Sequence, residues 1–319
     1  MTELTLPGTE SAHSESRLTV VVAFLANLLI AVAKSIAALV TGSASMVAEA
    51  AHSWADAGNE IFLFVAQRRS ERPADDAHPV GHGREAYVWA LFAAVGLFAV
   101  GAAVSVTHGI TELIHPEPAQ NFGVAYVVLA IAFLLEGISF LQSTRQAKAE
   151  AARIDRDLLE HVLATSDPTL RAVFAEDAAA LVGILIAFLG VGLHELTGSS
   201  VPDAVGSILV GVLLGAVSIL LIDRNRRFIV GEAVAPALRT AALQRLLAEK
   251  EVLAVTYLQM EFAGPRRVAL LARVDLVADN PESQVAATLA DLERRIEAEP
   301  AIARAVLAPA APGSVPLVP

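Results

Sequence analysis

The chain has 319 residues, 55% of them hydrophobic and 18% charged, with a mean hydropathy of +0.57, whereas soluble domains run about 45–50% apolar and about 25% charged. Its formal net charge of −11 lies wholly in residues 1–222, because residues 223–319 hold 12 basic and 12 acidic groups, and this pattern excludes a basic footprint for nucleic acid. There is no cysteine, so disulfides, thiolate metal sites and cysteine nucleophiles are excluded as well.

Residues 1–17 (MTELTLPGTESAHSESR) are polar and acidic, unlike a cleavable signal peptide, and are expected to form a flexible tail. Six apolar runs follow, over residues 18–40, 43–66, 85–114, 122–142, 169–194 and 203–222. Each is close to the roughly 20 residues a helix needs to cross the hydrocarbon. They are continuous rather than alternating, which argues against barrel strands. The expected fold is an all-α bundle of six transmembrane helices over 18–222.

Basic residues orient it. Arg68, Arg69, Arg72 and Arg84 follow the second run, Arg145, Lys148, Arg153, Arg156 and Arg171 follow the fourth, and Arg224, Arg226 and Arg227 follow the sixth. The linkers 41–42, 115–121 and 195–202 contain no Lys or Arg. The positive-inside rule therefore predicts that both termini are cytoplasmic.

From about residue 235 the period changes. PALRTAALQRLLAEK predicts a helix, VTYLQMEF and RRVALLARVDLV alternate as two strands around Ala263-Gly264-Pro265, PESQVAATLADLERRIEAE predicts a second helix, and AIARAVLAP a last strand. That order, αββαβ, predicts a small cytoplasmic α+β domain of ferredoxin-like type over 223–310. The Pro-rich residues 311–319 are expected to be disordered.

An ionisable side chain inside the membrane costs roughly 2.5–3.5 kcal/mol even on insertion scales, so each asks for a reason. On a helix of about 100° per residue, Glu49, His52, Asp56 and Glu60 of the second run fall in one stripe about 80° wide. His52 and Asp56, at i and i+4, are close enough to share a cation. The bland alternative is a mutual ion pair that only orders helix packing. In the fifth run, adjacent Glu176 and Asp177 precede a long apolar stretch and call for a cation or proton to offset their charge. Lys34, in the first run, can neutralise one carboxylate or snorkel to an interface. Asn27 and Glu136 are expected to hydrogen-bond between helices. One imidazole with two or three carboxylates suits Zn²⁺, Fe²⁺, Co²⁺ or Mn²⁺ and suits copper(I) poorly. Protons compete with metal for the same groups. Competition at a site exposed alternately to each side predicts a metal/proton antiporter.

These residues resemble the cation diffusion facilitator family. The resemblance rests on Asn27, Lys34, Gly42 and Ser45, then AEAAHSWAD with His52 and Asp56, on HPVGHGREAYVWAL at 78–91, similar to the family's His-Pro-x-Gly-His-x-Arg signature, and on PDAVGSILVGVLL at 202–214. It implies a homodimeric metal/proton antiporter in the lipid bilayer, exporting a divalent cation, zinc first, with iron, manganese or cobalt as alternatives. It implies a tetrahedral site between helices two and five, with a His/Asp pair expected on each. His52 and Asp56 carry the first pair. Asp177 matches the second aspartate, while Val173 stands where the partner ligand belongs, which leaves Glu176 or water to complete the set. The Glu-Asp pair and the Asp167-Pro168-Thr169 segment resemble one branch of the family.

The implied metal ligands are thus His52, Asp56, Asp177 and Glu176, with Glu49, Glu60, Lys34, His78 and His82 as accessory or proton-coupling groups. No cofactor is expected beyond the transported ions. His78 and His82, beside Asp75 and Asp76, read either as a cytoplasmic capture site or as a loop tied to Arg84 or Glu85. All eight histidines lie at or before His194, so the C-terminal domain is expected to lack a multi-histidine zinc site and to serve dimerisation. His108 and His115 are expected at an interface, and His13, His161 and His194 in solvent. A zinc protease would want HExxH and a serine hydrolase a GxSxG element, and neither is present. A divalent-cation channel is the remaining rival. Arg- and Ala-rich usage points to a bacterial cytoplasmic membrane.

Overall fold

The computed structural model describes residues 17–153, 156–277 and 280–318, with side chains of the first helix described from Phe24 onward. The expected N-terminal tail therefore lies outside the described residues, apart from Arg17. The chain divides into two compact units.

The first unit, residues 13–67 and 87–226, is helical. α1 (Arg17–Thr41) and α2 (Ala44–Ser70) are joined by Gly42-Ser43. α3 (Glu85–Gly96) continues through a π-helical segment, Leu97–Ala102, into α4 (Ala103–Ile114). Then come α5 (Phe122–Arg153), a short α6 (Leu158–Ala164), α7 (Pro168–Thr197) and α8 (Val201–Val230). Among the described residues, five stretches are long and apolar enough to cross a membrane: Phe24–Thr41, Glu85–Ile114, Phe122–Ala152, Pro168–Thr197 and Val201–Val230. α2 is 27 residues long, but Glu49, His52, Asp56 and Glu60 keep it below that threshold. Leucine, isoleucine and valine cover the outside of these helices, as Leu29, Leu39, Ile131, Leu189 and Val212 show. Alanine dominates the inside, with Ala31, Ala37, Ala48, Ala125 and Ala187 fully or almost fully buried. Small inside and large outside is what close helix packing in lipid requires, since lipid tails are as apolar as leucine.

α5 overruns the expected end of the fourth run by eleven residues, to Arg153. Its last turns leave the apolar stretch, and Ala147 there packs with Val162 and Leu158 of α6. α7 opens on a local cap: Asp167 Oδ1 accepts from the amides of Thr169 (2.9 Å) and Leu170 (3.2 Å), with Pro168 in the first turn.

The second unit, residues 68–86 and 227–319, contains α9 (Pro236–Leu247), β1 (Val252–Gly264), β2 (Arg267–Leu276), α10 (Glu282–Glu297) and β3 (Ile302–Pro309). The sheet order is β1-β2-β3, with β1 antiparallel and β3 parallel to β2. The hairpin turn is Pro265-Arg266, with Arg266 at φ 56°, so β1 runs two residues past the start of the expected turn. Alternate strand residues such as Val255, Val268, Leu270, Ala272 and Leu307 join Leu243 and Leu292 of the helices in one core. Both sheet edges are covered. Glu293 and Glu297 of α10 accept from the amides of Leu307 (2.7 Å) and Ala305 (3.0 Å) on β3. On β1, Val234 and Leu317 donate backbone bonds to Met260 and Val255, so the Pro-rich tail, without helix or strand, still lies against the edge. Covered edges discourage uncontrolled strand pairing.

Candidate metal centres

The position of α2 decides where the membrane donors sit. Gly42 turns the chain at φ 68°, a left-handed conformation that glycine adopts without penalty. Ser43 Oγ accepts from Met46 N at 3.2 Å as a local cap. The other acceptor comes from another helix. Asp203, in the first turn of α8 and 1% exposed, accepts from Ser43 Oγ (2.9 Å), Ala44 N (2.8 Å) and Ser45 N (3.2 Å). Its backbone carbonyl accepts from Ser45 Oγ at 2.8 Å. A carboxylate on the open amides of α2 also complements the positive end of the helix dipole. Sequence reading missed this role. The signal was an acid at the start of the sixth run with no basic neighbour.

Two turns further on, His52 Nε2 lies 3.4 Å from Asp56 Oδ1, and the imidazole is wholly buried. The contact is not a hydrogen bond: both ring nitrogens of His52 and Asp56 Oδ1 lack partners. Ser53 Oγ, Asn59 Oδ1, Glu60 Oε2 and Glu49 Oε1, all on α2, are also buried without one. Native interiors leave few such atoms, and each calls for an ion, a water or a function.

Glu176 and Asp177, on α7, are both buried and point to different neighbours. Asn59 of α2 donates to Glu176, while Asp177 Oδ2 accepts from Ser139 (2.8 Å) and Ser143 (3.4 Å) of α5. The charges of Glu176, Glu136 and Asp177 all reach Asp56. Val173 packs against Leu63, Ala90 and Ala172. Of the pair, Glu176 is thus the residue joined directly to α2.

Two further polar pairs join α1 and α2. Lys34 Nζ donates to Glu49 Oε2 at 2.8 Å, both side chains fully buried, so Lys34 neutralises a carboxylate rather than snorkelling. Asn27 bonds across α1 and α2 to Glu60 Oε1 at 2.5 Å. Glu136 of α5 feels the charges of Lys34 and Glu49.

Among the described residues, one group of three donors converges within 4.8 Å, and it lies in the loop: Asp75, His78 and His82. His82 Nε2 is 2.9 Å from Asp75 Oδ2 and His78 Nδ1 is 3.1 Å from Asp75 Oδ1, the two rings being 4.0 Å apart. The amides of Ala77 (3.0 Å) and His78 (2.7 Å) also bind Asp75. The hydrogen bonds from His82 and then His78 hold the Asp75 carboxyl well below the usual carboxylate range. The loop is seated on the sheet hairpin: a Cβ on Gly83 would stand 2.5 Å from Ala263 O, and Arg84 donates to Glu261 at 2.8 Å. The histidines of this loop are thus tied to Asp75, while Arg84, expected to hold the loop, bonds Glu261 of the sheet instead.

Two histidines expected in solvent are buried. His161 of α6 is 4% exposed, 3.4 Å from Glu150 of α5, because α6 folds back onto the long end of α5. His194 is 5% exposed, edge-on to Phe122 and 3.8 Å from Asp203 Oδ2. His108 is half-buried and His115 exposed, and His13 lies outside the described residues.

A helical unit with apolar spans and buried, unpartnered acid and imidazole groups defines an integral membrane protein of the ion-translocating class. Residues 20–229 match the cation efflux transmembrane domain, and the chain belongs to that family of transporters. The mitochondrial proton-coupled zinc antiporter SLC30A9 of Xenopus laevis is 35% identical over 256 residues, 80% of this chain and 46% of that protein. Metal tolerance protein C4 of Arabidopsis thaliana is 34% identical over 230 residues, 72% of this chain and 50% of its own length. The cation-efflux pump FieF of Shewanella oneidensis is 33% identical over 130 residues, 40% of this chain and 43% of the pump. The chain thus spans half or less of the length of these curated relatives.

Proposed function

We propose that the chain exports a divalent transition-metal cation, zinc first, from the cytoplasm in exchange for protons by alternating access. The observation that carries this is the buried His52–Asp56 pair, whose ring nitrogens have no partner and which lies one turn from Asn59, the residue hydrogen-bonded to Glu176 of α7. A borderline divalent ion suits that donor set, and metal release leaves groups able to take up protons. His52, Asp56 and Asp177, with Glu176, are the proposed ligands; Glu49 and Glu60 line the approach on either side. The family and the names of the frog and plant relatives support metal transport.

In this reading α2 is the sixth span, its polar stripe hidden by its neighbours, and the Arg-rich loop 68–84 faces the cytoplasm with both termini. The membrane is a bacterial cytoplasmic one; the frog relative is named as mitochondrial. The second unit holds two copies together through the open sheet face, where Leu271 and Val306 pair side by side and are exposed. Zinc flux into proteoliposomes under an imposed pH gradient tests the proposal. Uptake is expected to follow the gradient and to fall at least about a hundredfold in Asp56→Ala, since losing a ligand should cost more than the roughly 10–100-fold of losing a ligand's outer-shell partner. Uptake indifferent to the gradient would mean a channel, and movement of manganese, iron or cobalt alone would change the metal and keep the site.

Asp75, His78 and His82 form a second, cytoplasmic cation site in this reading. Because the Asp75 carboxyl is held low, the loop contacts that need its ionised form are fully present above the ordinary carboxylate range. They are lost only as pH falls through its depressed value. Asp75→Asn is expected to weaken zinc binding at the loop about 10–100-fold, read by calorimetry on the full chain carrying Asp56→Ala. Unchanged binding would remove the loop from the metal path.

A further inference from the structure

We propose that Glu49 is a second cation station on the transport path, one helical turn from His52, and that the tethered ammonium of Lys34 occupies it so that the passing metal is not trapped there. The inference rests on the transport reading above. Its evidence lies in how the pair is built. Lys34 and Glu49 are both 0% exposed and 2.8 Å apart, yet the ammonium engages only Oε2. The other oxygen, Oε1, is buried without a partner. It occupies space that α7 leaves open by having no side chain at Gly183, where a Cβ would stand 2.7 Å from it. Three residues on, the same face of α2 carries His52 with both nitrogens unpartnered.

A merely structural ion pair would be expected to satisfy all its acceptors, because a buried charge with an open lone pair is costly and an apolar replacement is often as stable. Here the geometry leaves cation-binding capacity beside the metal site and fills half of it with a cation the protein cannot lose. The charges facing Lys34 are Glu49 and Asp56 from α2 and Glu136 from α5, so the ammonium sits among the carboxylates a divalent ion would seek. Without it, Glu49 is free to join His52 and Asp56 on the metal. The ion would bind more tightly and leave more slowly. With it, Glu49 is neutralised and the metal stays on a site it can leave.

The test is the kinetics of metal flux in proteoliposomes for Lys34→Gln, which keeps a hydrogen-bond donor for Glu49 and removes the charge. Lys34→Gln is expected to lower KM about tenfold with a matching fall in kcat, since tighter ground-state binding slows release. Lys34→Gln with Glu49→Gln is expected to return KM to within about twofold of the wild type, because the freed carboxylate is gone. A KM in Lys34→Gln equal to the wild type, or a double variant whose KM stays low, overturns the proposal. If Lys34→Gln does not fold, Glu49→Gln reads the pair from the other side: the unpaired ammonium repels the metal, and KM is expected to rise about tenfold. An unchanged KM there also overturns it. Wild-type flux, read with whichever divalent cation moves, is the control. Its absence strikes the transport reading itself, whereas a change confined to the variants bears on Lys34 and Glu49 alone.

Discussion

Asp203→Ala is expected to destabilise the helical unit by about 3–5 kcal/mol and to cut metal flux at least about tenfold. The carboxylate accepts from Ser43 Oγ and from the amides of Ala44 and Ser45. Its removal leaves two backbone donors and a hydroxyl buried. Each unsatisfied buried group costs about 1–3 kcal/mol, and more where no water can reach it. The loss also has a functional side, because Asp203 belongs to α8 while the amides it holds begin the helix that carries His52. Without the cap, α2 is free to slide along its axis, and a displacement of about one residue, 1.5 Å of rise, takes the imidazole away from Glu176 and Asp177. Asp203→Asn keeps one acceptor oxygen without the charge and is expected to recover about half of the stability. The measurement is the thermal unfolding midpoint in detergent beside flux in proteoliposomes. An Asp203→Ala protein with both values at wild-type level would show that Ser43 alone caps α2.

Gly211→Val is expected to be as damaging, for a steric reason. A Cβ on Gly211 of α8 would stand 2.6 Å from Val106 Cγ2, 2.9 Å from Ala102 O and 2.9 Å from Val106 N. Two of these are backbone atoms, which cannot turn aside as a side chain can. One to two turns earlier along α8 in the same contact, a Cβ on Gly109 of α4 would meet Ala204 O at 2.7 Å and Ile208 N at 3.1 Å. The two glycines let α4 and α8 approach at backbone distance, the usual device of helix pairs in lipid. Ala102 is the last residue of the π-helical segment, so the contact falls where the stretch from α3 to α4 changes its winding, as π segments often do at functional places. Forcing the helices apart costs about 1–3 kcal/mol or more and shifts α8, hence Asp203 and the start of α2. Gly211→Ala is expected to show a smaller loss of unfolding midpoint and flux than Gly211→Val. Equal tolerance of both would mean that the helices can separate without consequence.

Much of this was legible in the residues. The apolar runs marked the helices because a membrane span must be long and uninterrupted. The stripe from Glu49 to Glu60 was visible because a helix repeats every 3.6 residues, which is local information. The αββαβ order could be read from the change of period after about residue 235. Less was legible where a residue's partner came from elsewhere in the chain. His161 and His194 read as solvated because they stand near run ends, yet the return of α6 onto α5 and the packing of Phe122 bury them. The hairpin began two residues later than the glycine suggested, since Arg266 takes the positive φ.

The sequence by itself determined that the chain enters a membrane, which helix carries the imidazole and acids, and that those groups share one face. Only the tertiary structure decided that Glu49 belongs to Lys34, Glu60 to Asn27 and Glu176 to Asn59, and that Asp203 of α8 caps α2. Helical periodicity fixes which side chains point the same way, but the partner across a helix interface depends on axial offset and rotation. Those are set by packing of small residues, such as the glycines of α4, α7 and α8, that are far apart in the chain.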